Sequence, residues 1–137
     1  MISFIIPTLN EEKCIGETLE CLTRYSGTHE IIVADGGSSD RTVEIAKRYT
    51  PHIVVHTGLP HTIAAGKNAG AATARGELLL FIDADVQIPN ADAFFAPLLA
   101  LFEKRPRVVA LTVGLRVLPE LATVPDKIIF GIVNFHV

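Results

Sequence analysis

The sequence has 137 residues, of which 49% are hydrophobic, and its formal net charge is −3 at pH 7. This length and apolar content predict one domain, residues 1–137, with a buried core, and they exclude a disordered chain. The small negative charge and the lack of a basic cluster argue against a nucleic-acid-binding surface, so we expect a small ligand. Cys14 and Cys21 lie on one predicted helix, about 10 Å apart along its axis. That distance is too long for a disulfide and fits a reducing cytoplasm.

Strands and helices are predicted to alternate along the chain. A short apolar run before Pro7 indicates the first strand, and apolar residues at helical spacing after Asn10 indicate the first helix. Asn10 and Asp40 are predicted N-caps, and Gly76 is predicted at the C′ position of a helix. The predicted strands cover residues 2–6, 30–34, 53–56, 78–82 and 108–117, and the predicted helices cover residues 11–25, 41–49, 62–75 and 91–103.

Residues 76–86, with the sequence GELLLFIDADV, form the segment around which we expect the rest of the chain to be organised. The unbroken apolar run predicts a strand that is buried on both faces and lies in the middle of a sheet. The run ends abruptly at Asp83, Ala84 and Asp85. Because a buried carboxylate without a partner is unfavourable by several kcal/mol, the two acids require a cation, hydrogen-bond donors or water.

A divalent metal is the strongest candidate partner for these two acids. Alternate residues of an extended strand point to the same side, with Cα atoms about 6.6 Å apart, so Asp83 and Asp85 can converge on one ion. Mg²⁺ and Mn²⁺ take oxygen ligands and complete their coordination with water and substrate phosphates. A solvated strand end is the alternative, because an Asp-x-Asp pattern alone is a weak signal.

Strands that alternate with helices through short connections predict an α/β fold, with a doubly wound, mostly parallel sheet and helices on both faces. Ligands of such sheets bind beyond the carboxyl ends of the strands, where the strand order reverses. Three polar segments follow predicted strands at this edge, namely residues 7–11, 35–40 and 83–85. We therefore expect these segments to meet at one site.

The first turn argues against two common phosphate-binding loops. A dinucleotide-binding turn needs G-x-G-x-x-G after the first strand, whereas this sequence has PTLNEE. The pattern G-x-x-x-x-G-K-S/T is also absent. Phosphate charge would then be met by a metal on Asp83 and Asp85 with help from Lys67, unless Lys67 is only a solvated helix residue.

Other polar residues have simpler explanations. The five histidines have no metal-like spacing and are expected to be surface or loop residues: His29, His52, His56, His61 and His136. Asp35 can act as a turn former. Glu11 can stabilise the start of a helix by its charge.

Three motifs taken together carry a family resemblance. SFIIPTLNEE, EIIVADGGSSDRT and GKNAGAATARGELLLFIDAD, in this order, resemble the N-terminal half of a family 2 glycosyltransferase with the GT-A fold. The likeness covers roughly residues 2–89. It implies an inverting enzyme that transfers a sugar from a nucleotide-diphosphate donor, UDP- or GDP-linked, to an acceptor hydroxyl. It also implies Mn²⁺ or Mg²⁺ as cofactor.

The same resemblance implies roles for individual residues. Pro7 and Glu11 would line the nucleoside pocket, and Asp35 would contact the base. Asp83 would meet the ribose and Asp85 the metal, with Asp83 as a further metal ligand. The nucleotide-sugar site would then comprise Pro7, Glu11, Asp35, Lys67, Asp83 and Ala84.

Two features depart from the family pattern. Many members have arginine where this sequence has Lys67, which keeps the charge but loses the planar guanidinium. The catalytic base of the family is a carboxylate further downstream, and neither Glu120 nor Asp126 is assigned to that role, so the base is expected beyond residue 137. The chain is therefore expected to be a truncated donor-binding half whose acceptor-binding part is missing.

Two other functions remain as alternatives to the glycosyltransferase. A nucleotide-sugar-binding module that lacks a base is the main alternative, and a nucleotidyltransferase is disfavoured by PTLNEE. The apolar residues 127–137 are too few for a membrane helix and are expected to form an amphipathic or interrupted helix. We expect a cytoplasmic protein. A missing C-terminal part would bring it close to the inner face of the membrane.

Overall fold

The computed structural model describes residues 1–56 and 62–114 of the chain. Strands and helices alternate within these ranges: β1 (Ile2–Thr8), α1 (Ile15–Thr23), β2 (His29–Asp35), α2 (Thr42–Ala46), β3 (Ile53–Val55), α3 (Ile63–Thr73), β4 (Leu78–Phe81) and α4 (Ala91–Lys104). All strand pairs are parallel, and the order in the sheet is β3-β2-β1-β4. The strand order reverses between β3 and β4, as in a doubly wound sheet, so the predicted α/β fold is confirmed.

β1 is the central strand of this sheet. It pairs with β2 over its whole length on one side and with β4 from Ile2 to Ile5 on the other. The prediction that residues 78–82 form a mid-sheet strand buried on both faces is wrong. β4 is an edge strand of the described sheet, and Leu79 and Phe81 are 41% and 47% exposed. These two side chains lie on the face that carries α3, and α3 packs on β1 and β2 instead.

The main core lies on the opposite face, beneath α1, α2 and α4. Phe4 of β1 is fully buried there, and its ring centroid lies 5.1 Å from that of Phe95 and 5.8 Å from that of Tyr25. The helix predicted at residues 91–103 is confirmed as a core-packing helix, α4, through Phe95. The core side chains of the helices are Ile15, Leu19 and Leu22 from α1, Ala46 from α2, and Ala91 and Phe95 from α4.

α3 lies directly on the sheet because it contains glycine at the contact. A Cβ atom at Gly70 would lie 2.5 Å from Ile5 Cγ2, and one at Gly66 would lie 3.1 Å from Pro7 Cβ. The Ala- and Gly-rich sequence predicted this close approach. Helices therefore cover both faces of the sheet, as predicted.

A buried carboxylate joins three segments at the amino edge of the sheet. Glu30 is 7% exposed and accepts hydrogen bonds from Ser3 Oγ, from the Arg75 N–H at 2.6 Å, and from the Arg75 guanidinium at 3.0 and 3.1 Å. Burial raises the pKa of Glu30, but the Ser3 and Arg75 donors lower it more and hold the pKa at about 2. The Gly76 N–H donates to Ser3 Oγ at 2.8 Å, which brings the start of β4 into the same network.

Three predicted caps differ from the structure. Asn10 does not cap α1, which begins at Ile15; it adopts φ 58° and accepts a hydrogen bond from the Ser39 N–H instead. Asp40 accepts from the Thr42 N–H at 2.9 Å, although the N-cap position of α2 is Arg41. Gly76 lies beyond the C′ position of α3, since the C-cap is Ala74. Glycine is required at residue 76 because a Cβ there would lie 2.6 Å from the Ser3 backbone nitrogen.

The contacts of the chain divide it at Ala100, and Met1–Ala100 is the unit that contains the sheet. The assignment of residues 1–137 to one domain stays a prediction. The strand predicted at residues 108–117 is wrong over residues 108–114, which form no strand and in which Val109 is 92% exposed. An alternating apolar pattern makes a strand only where a partner strand pairs with it. Residues 115–117 and the segment 127–137 lie outside the described residues.

We expect the Gly76→Ala substitution to destabilise the protein by about 1–3 kcal/mol, because the added methyl group meets the backbone of β1. Gly16→Ala is the matched control, since its Cβ would make ordinary contacts at 3.5 Å or more and alanine favours the helix. Urea unfolding at pH 7 measures both changes. Equal stability of the two variants would contradict the close packing at Gly76.

We expect Glu30→Gln to lower the free energy of unfolding at pH 7 by about 1–3 kcal/mol. The pKa of Glu30 is lowered from 4.5 to about 2 on folding, so its stabilising effect is complete above pH 4.5 and is lost as the pH falls towards 2. The difference between wild type and variant, measured by urea unfolding, should therefore shrink across this window.

Glu44→Gln is the control for this experiment. The Arg41 and Arg48 side chains also lower the pKa of Glu44 to about 2, but all three side chains are exposed, on α2 and at its two ends. Solvent screens such pairs, so this variant should change the stability little, and less still at high salt. A larger effect at Glu44 than at Glu30 would contradict the role given to burial.

Candidate functional site

A cleft of about 300 Å³ opens at the carboxyl edge of the sheet. Its size is typical of a small-ligand site, and its place, where the strand order reverses, is where such sheets bind ligands. The ends of all the described strands and the start of α3 line it. The lining includes Pro7 in β1 and Glu11 after it, Gly36 after β2, His56 after β3, and Asp83 and Asp85 after β4.

Asp83, Ala84 and Asp85 lie in a turn. β4 ends at Phe81, and the Val86 N–H donates to the Asp83 carbonyl at 3.1 Å, so the extended geometry predicted for these residues is wrong. Ala84 is buried, whereas the two acids on either side of it are exposed. The turn therefore presents both carboxylates to the same cleft.

A buried threonine on α1 holds this turn in place. Thr18 Oγ1 donates a hydrogen bond of 2.7 Å to the Ala84 carbonyl, and Thr18 is 1% exposed. Sequence analysis missed Thr18, which lies among the apolar residues of α1. A hydroxyl group on the buried stripe of a helix was the available signal, because such a group needs a partner.

Lys67 lies beside the two acids at one side of the cleft. Its Nζ atom on α3 is 3.3 Å from Asp83 Oδ1, and the two side chains are 33% and 51% exposed. Such an exposed ion pair contributes little to stability, so a phosphate group can compete for the lysine at small cost.

Asp35 shapes the loop after β2. Its buried carboxylate accepts hydrogen bonds from Thr8 Oγ1 at 3.1 Å, from the N–H groups of Gly37 and Ser38 at 2.9 and 2.8 Å, and from Ser38 Oγ. Its neighbours Ala34 and Gly36 line the cleft. The structure thus gives Asp35 partners within the protein, and its contact with a base stays a prediction.

The loop after β1 rests on the loop after β2. The Asn10 N–H donates to Ser38 Oγ at 2.9 Å, and the Glu11 N–H donates to Thr42 Oγ1 at 2.8 Å. Asn10 adopts φ 58°, a left-handed conformation that asparagine tolerates better than most residues. These bonds fix the backbone that carries Glu11 at the cleft.

Most of the predicted site residues meet at this cleft. Pro7, Glu11, Asp83, Ala84 and Asp85 line it. Lys67 contacts it through Asp83. His56, which was expected to be an ordinary surface or loop residue, lines the wall of the cleft and is half-buried. The position of His56 directly after β3, at the ligand-binding edge, was the signal for its role.

The carboxylates of Asp83 and Asp85 fit a hard divalent cation. Mg²⁺ is usually held by one or two protein carboxylates, with substrate phosphates and water as the other ligands. Within residues 1–56 and 62–114 no group of three His, Cys, Asp or Glu side chains forms a closed metal site. Two carboxylates at one cleft match the number of protein ligands that Mg²⁺ has when it is bound with a substrate phosphate.

Comparison with known proteins settles the family of the chain. The model of glycosyl transferase family 2 matches residues 3–128. This chain belongs to glycosyl transferase family 2. A PGL/p-HBAD biosynthesis glycosyltransferase of Mycobacterium tuberculosis is 34% identical over 97 residues, which cover 67% of this chain and 38% of the relative. A dolichyl-phosphate beta-glucosyltransferase of Trichomonas vaginalis is 40% identical over 99 residues, covering 61% of this chain and 30% of that protein.

Solved structures of other proteins share the fold of this chain. The structure is similar to S. aureus TarS 1–349 in complex with UDP, with a TM-score of 0.68 and 23% identity over 82% of this chain and 38% of that TarS chain. Glucosyl-3-phosphoglycerate synthase of Mycobacterium tuberculosis, crystallised with Mn²⁺, UDP and glucosyl-3-phosphoglycerate, gives a TM-score of 0.54 at 27% identity over 75% of this chain and 39% of the synthase. The GT-A fold is thus confirmed, and the chain spans 38% of the length of the first relatives that it matches.

None of the helices in the two described ranges has the length and apolar character that a membrane span requires.

We expect Thr18→Val to destabilise the protein by about 1–3 kcal/mol, because the Ala84 carbonyl loses its buried donor. The turn at residues 83–86 should also loosen, which hydrogen exchange of the Val86 amide measures. Thr23→Val is the matched control, since Thr23 lies on the exposed face of the same helix and donates only to Glu20. Unchanged exchange at Val86 in Thr18→Val would contradict the role of this hydrogen bond.

Proposed function

We propose that the chain is the donor-binding part of an inverting, metal-dependent glycosyltransferase. It takes a UDP- or GDP-linked sugar and delivers the sugar to an acceptor hydroxyl. The observation that carries this proposal is that Asp83 and Asp85 line one cleft with the ends of β1 and β2. Glucosyl-3-phosphoglycerate synthase, which has been crystallised with UDP and either Mn²⁺ or Mg²⁺, supports the choice of ligand and cofactor.

The donor lies across the carboxyl edge of the sheet in this proposal. Asp85 and Asp83 would hold a divalent cation, which would offset the charge of the donor's diphosphate. Its nucleoside lies along Pro7 and Glu11 towards the end of β2, where Asp35 would contact the base. The open, partly apolar cleft between these groups supports this orientation, because a nucleoside has an apolar face and a diphosphate has none.

Charge neutralisation is the main contribution of these residues to the reaction. When bound, the divalent cation supplies Lewis-acid stabilisation of the departing diphosphate. Lys67 exchanges its contact with Asp83 for a phosphate oxygen of the donor, so its positive charge faces the leaving group. The turn held by Thr18 keeps both carboxylates in position without reorganisation.

The deprotonation of the acceptor is not assigned to a residue. Inversion requires a general base beside the acceptor hydroxyl, and Glu120 and Asp126 lie outside the described residues. A nucleotide-sugar-binding module without a base is the second candidate function. It predicts metal-dependent binding of the donor with no transfer and no hydrolysis.

We further propose a cytoplasmic protein that works near the inner face of the membrane. Support comes from the relative in Trichomonas vaginalis, whose name contains dolichyl phosphate, a membrane lipid. The acceptor of this chain is left open by the residues of the cleft.

We expect UDP or GDP to bind at least about tenfold more tightly with Mn²⁺ than with EDTA, because the cation screens the phosphates from two carboxylates. Asp85→Ala should remove this difference without changing the melting temperature, since the side chain is exposed. Isothermal titration calorimetry measures the affinities. Glu77→Ala is the matched control: it removes an exposed carboxylate at the opposite end of the segment that carries β4.

Two results would contradict the proposal. If neither nucleotide binds, the assigned donor site is wrong. If Mn²⁺ still strengthens binding in Asp85→Ala, the assignment of Asp85 as a metal ligand is wrong. Release of the sugar from a UDP- or GDP-linked donor, measured with Mn²⁺, separates the enzyme from the binding module.

A further inference from the structure

His56 forms the wall of the cleft at the end of the sheet opposite to the acid pair. It follows β3 directly, and its N–H donates to the Asp35 carbonyl at 2.8 Å, so its backbone is fixed by the end of β2. Its side chain is half-buried and lines the cleft. Within the described ranges, neither imidazole nitrogen has a hydrogen-bond partner. A polar ring is thus held in a ligand-sized cleft without a structural partner there.

Two glycines make room for this ring. A Cβ atom at Gly66, on the first turns of α3, would lie 3.2 Å from His56 Nε2. A Cβ atom at Gly36, after β2, would lie 3.7 Å from the same nitrogen. Nε2 therefore sits between the end of β2 and the start of α3, which are both walls of the cleft. Larger residues at these two positions would crowd the imidazole.

The strand order sets the separation of the chain segments that carry His56 and the acids. β3 and β4 are the two ends of the order β3-β2-β1-β4, so their carboxyl ends are separated by three strand spacings, or about 14 Å. An extended nucleoside diphosphate reaches across such a distance. With its phosphates at Asp83 and Asp85, the base lies at the end of the cleft formed by β2 and β3.

We propose that His56 recognises the nucleobase of the donor through a hydrogen bond of its imidazole Nε2. This inference rests on the proposed donor site and adds a residue that determines base recognition. A neutral imidazole can donate from one ring nitrogen and accept at the other, so it matches the polar edge of a base. In this proposal the diphosphate is held at Asp83 and Asp85, after the strand at the other end of the sheet from β3.

The test compares three nucleotide-site variants by calorimetry with UDP, GDP and inorganic pyrophosphate, each with Mn²⁺. His56→Ala and His56→Phe should weaken the binding of the preferred nucleotide by about tenfold, because both remove the hydrogen bond. His56→Gln should retain most of the affinity, since its amide reaches the position of Nε2. Pyrophosphate should bind all variants as it binds the wild type.

His52→Ala is the matched control, because His52 is exposed and lies at the opposite, amino end of β3. Its ring is 3.4 Å from the Arg75 guanidinium. It should bind both ligands as the wild type does. Thermal unfolding shows whether each variant is folded. If His56→Ala does not fold, His56→Phe, which keeps the volume of the ring, provides the binding test.

The outcomes separate this inference from the proposed function. Wild-type affinity for the nucleotide in His56→Phe overturns the role of Nε2, and so does an equal loss of pyrophosphate binding. In both cases the donor site itself stands. A wild-type protein that binds neither UDP nor GDP overturns the donor site and the assignment of His56 together.

Discussion

The central position of β1 is the constraint on which the site depends. β1 is paired in parallel with β2 on one side and with β4 on the other, and its side chains are buried along almost its whole length. This pairing brings together three chain segments that lie far apart in the sequence. The loops after β1, β2 and β4 must then emerge at one edge, because parallel strands end on the same side. A change in the pairing of β1 would separate the acids from the rest of the cleft.

Side-chain hydrogen bonds set the positions of the loops once the strands are paired. Asp35 closes the loop after β2, and Thr18 holds the turn that contains Ala84. Both residues are buried and keep their partners within the protein. Asp83 and Asp85, which are exposed in the cleft, and the partly exposed Lys67 beside them carry the charge instead. The fold thus separates residues that position the loops from residues that are free to exchange their partners for a ligand.

Much of this arrangement could be predicted from the sequence, because it depends on local patterns. Apolar runs and helical periodicity located the elements of the sheet, and the rule for ligand binding at the carboxyl edge located Pro7, Glu11, Asp83 and Asp85.

The features that could not be predicted depend on contacts between distant segments. The edge position of β4 depends on strand order, which its apolar residues do not encode. The caps at Asn10 and Gly76 were misassigned because tertiary contacts, with Ser39 and Ser3 respectively, determine both residues. The contact of Thr18 with Ala84, and the place of His56 beside Gly36 and Gly66, join segments that are far apart in the sequence.

The central claim is that one nucleotide and one cation bind together along the edge formed by β1, β2 and β4. A crystal structure of the protein with UDP or GDP and Mn²⁺ tests it most directly, because the anomalous signal of manganese locates the ion independently of the nucleotide. The account predicts a manganese peak at Asp85 and Asp83 and a base at the end of the cleft beside Gly36. A nucleotide bound elsewhere, or a manganese peak away from both acids, would contradict it.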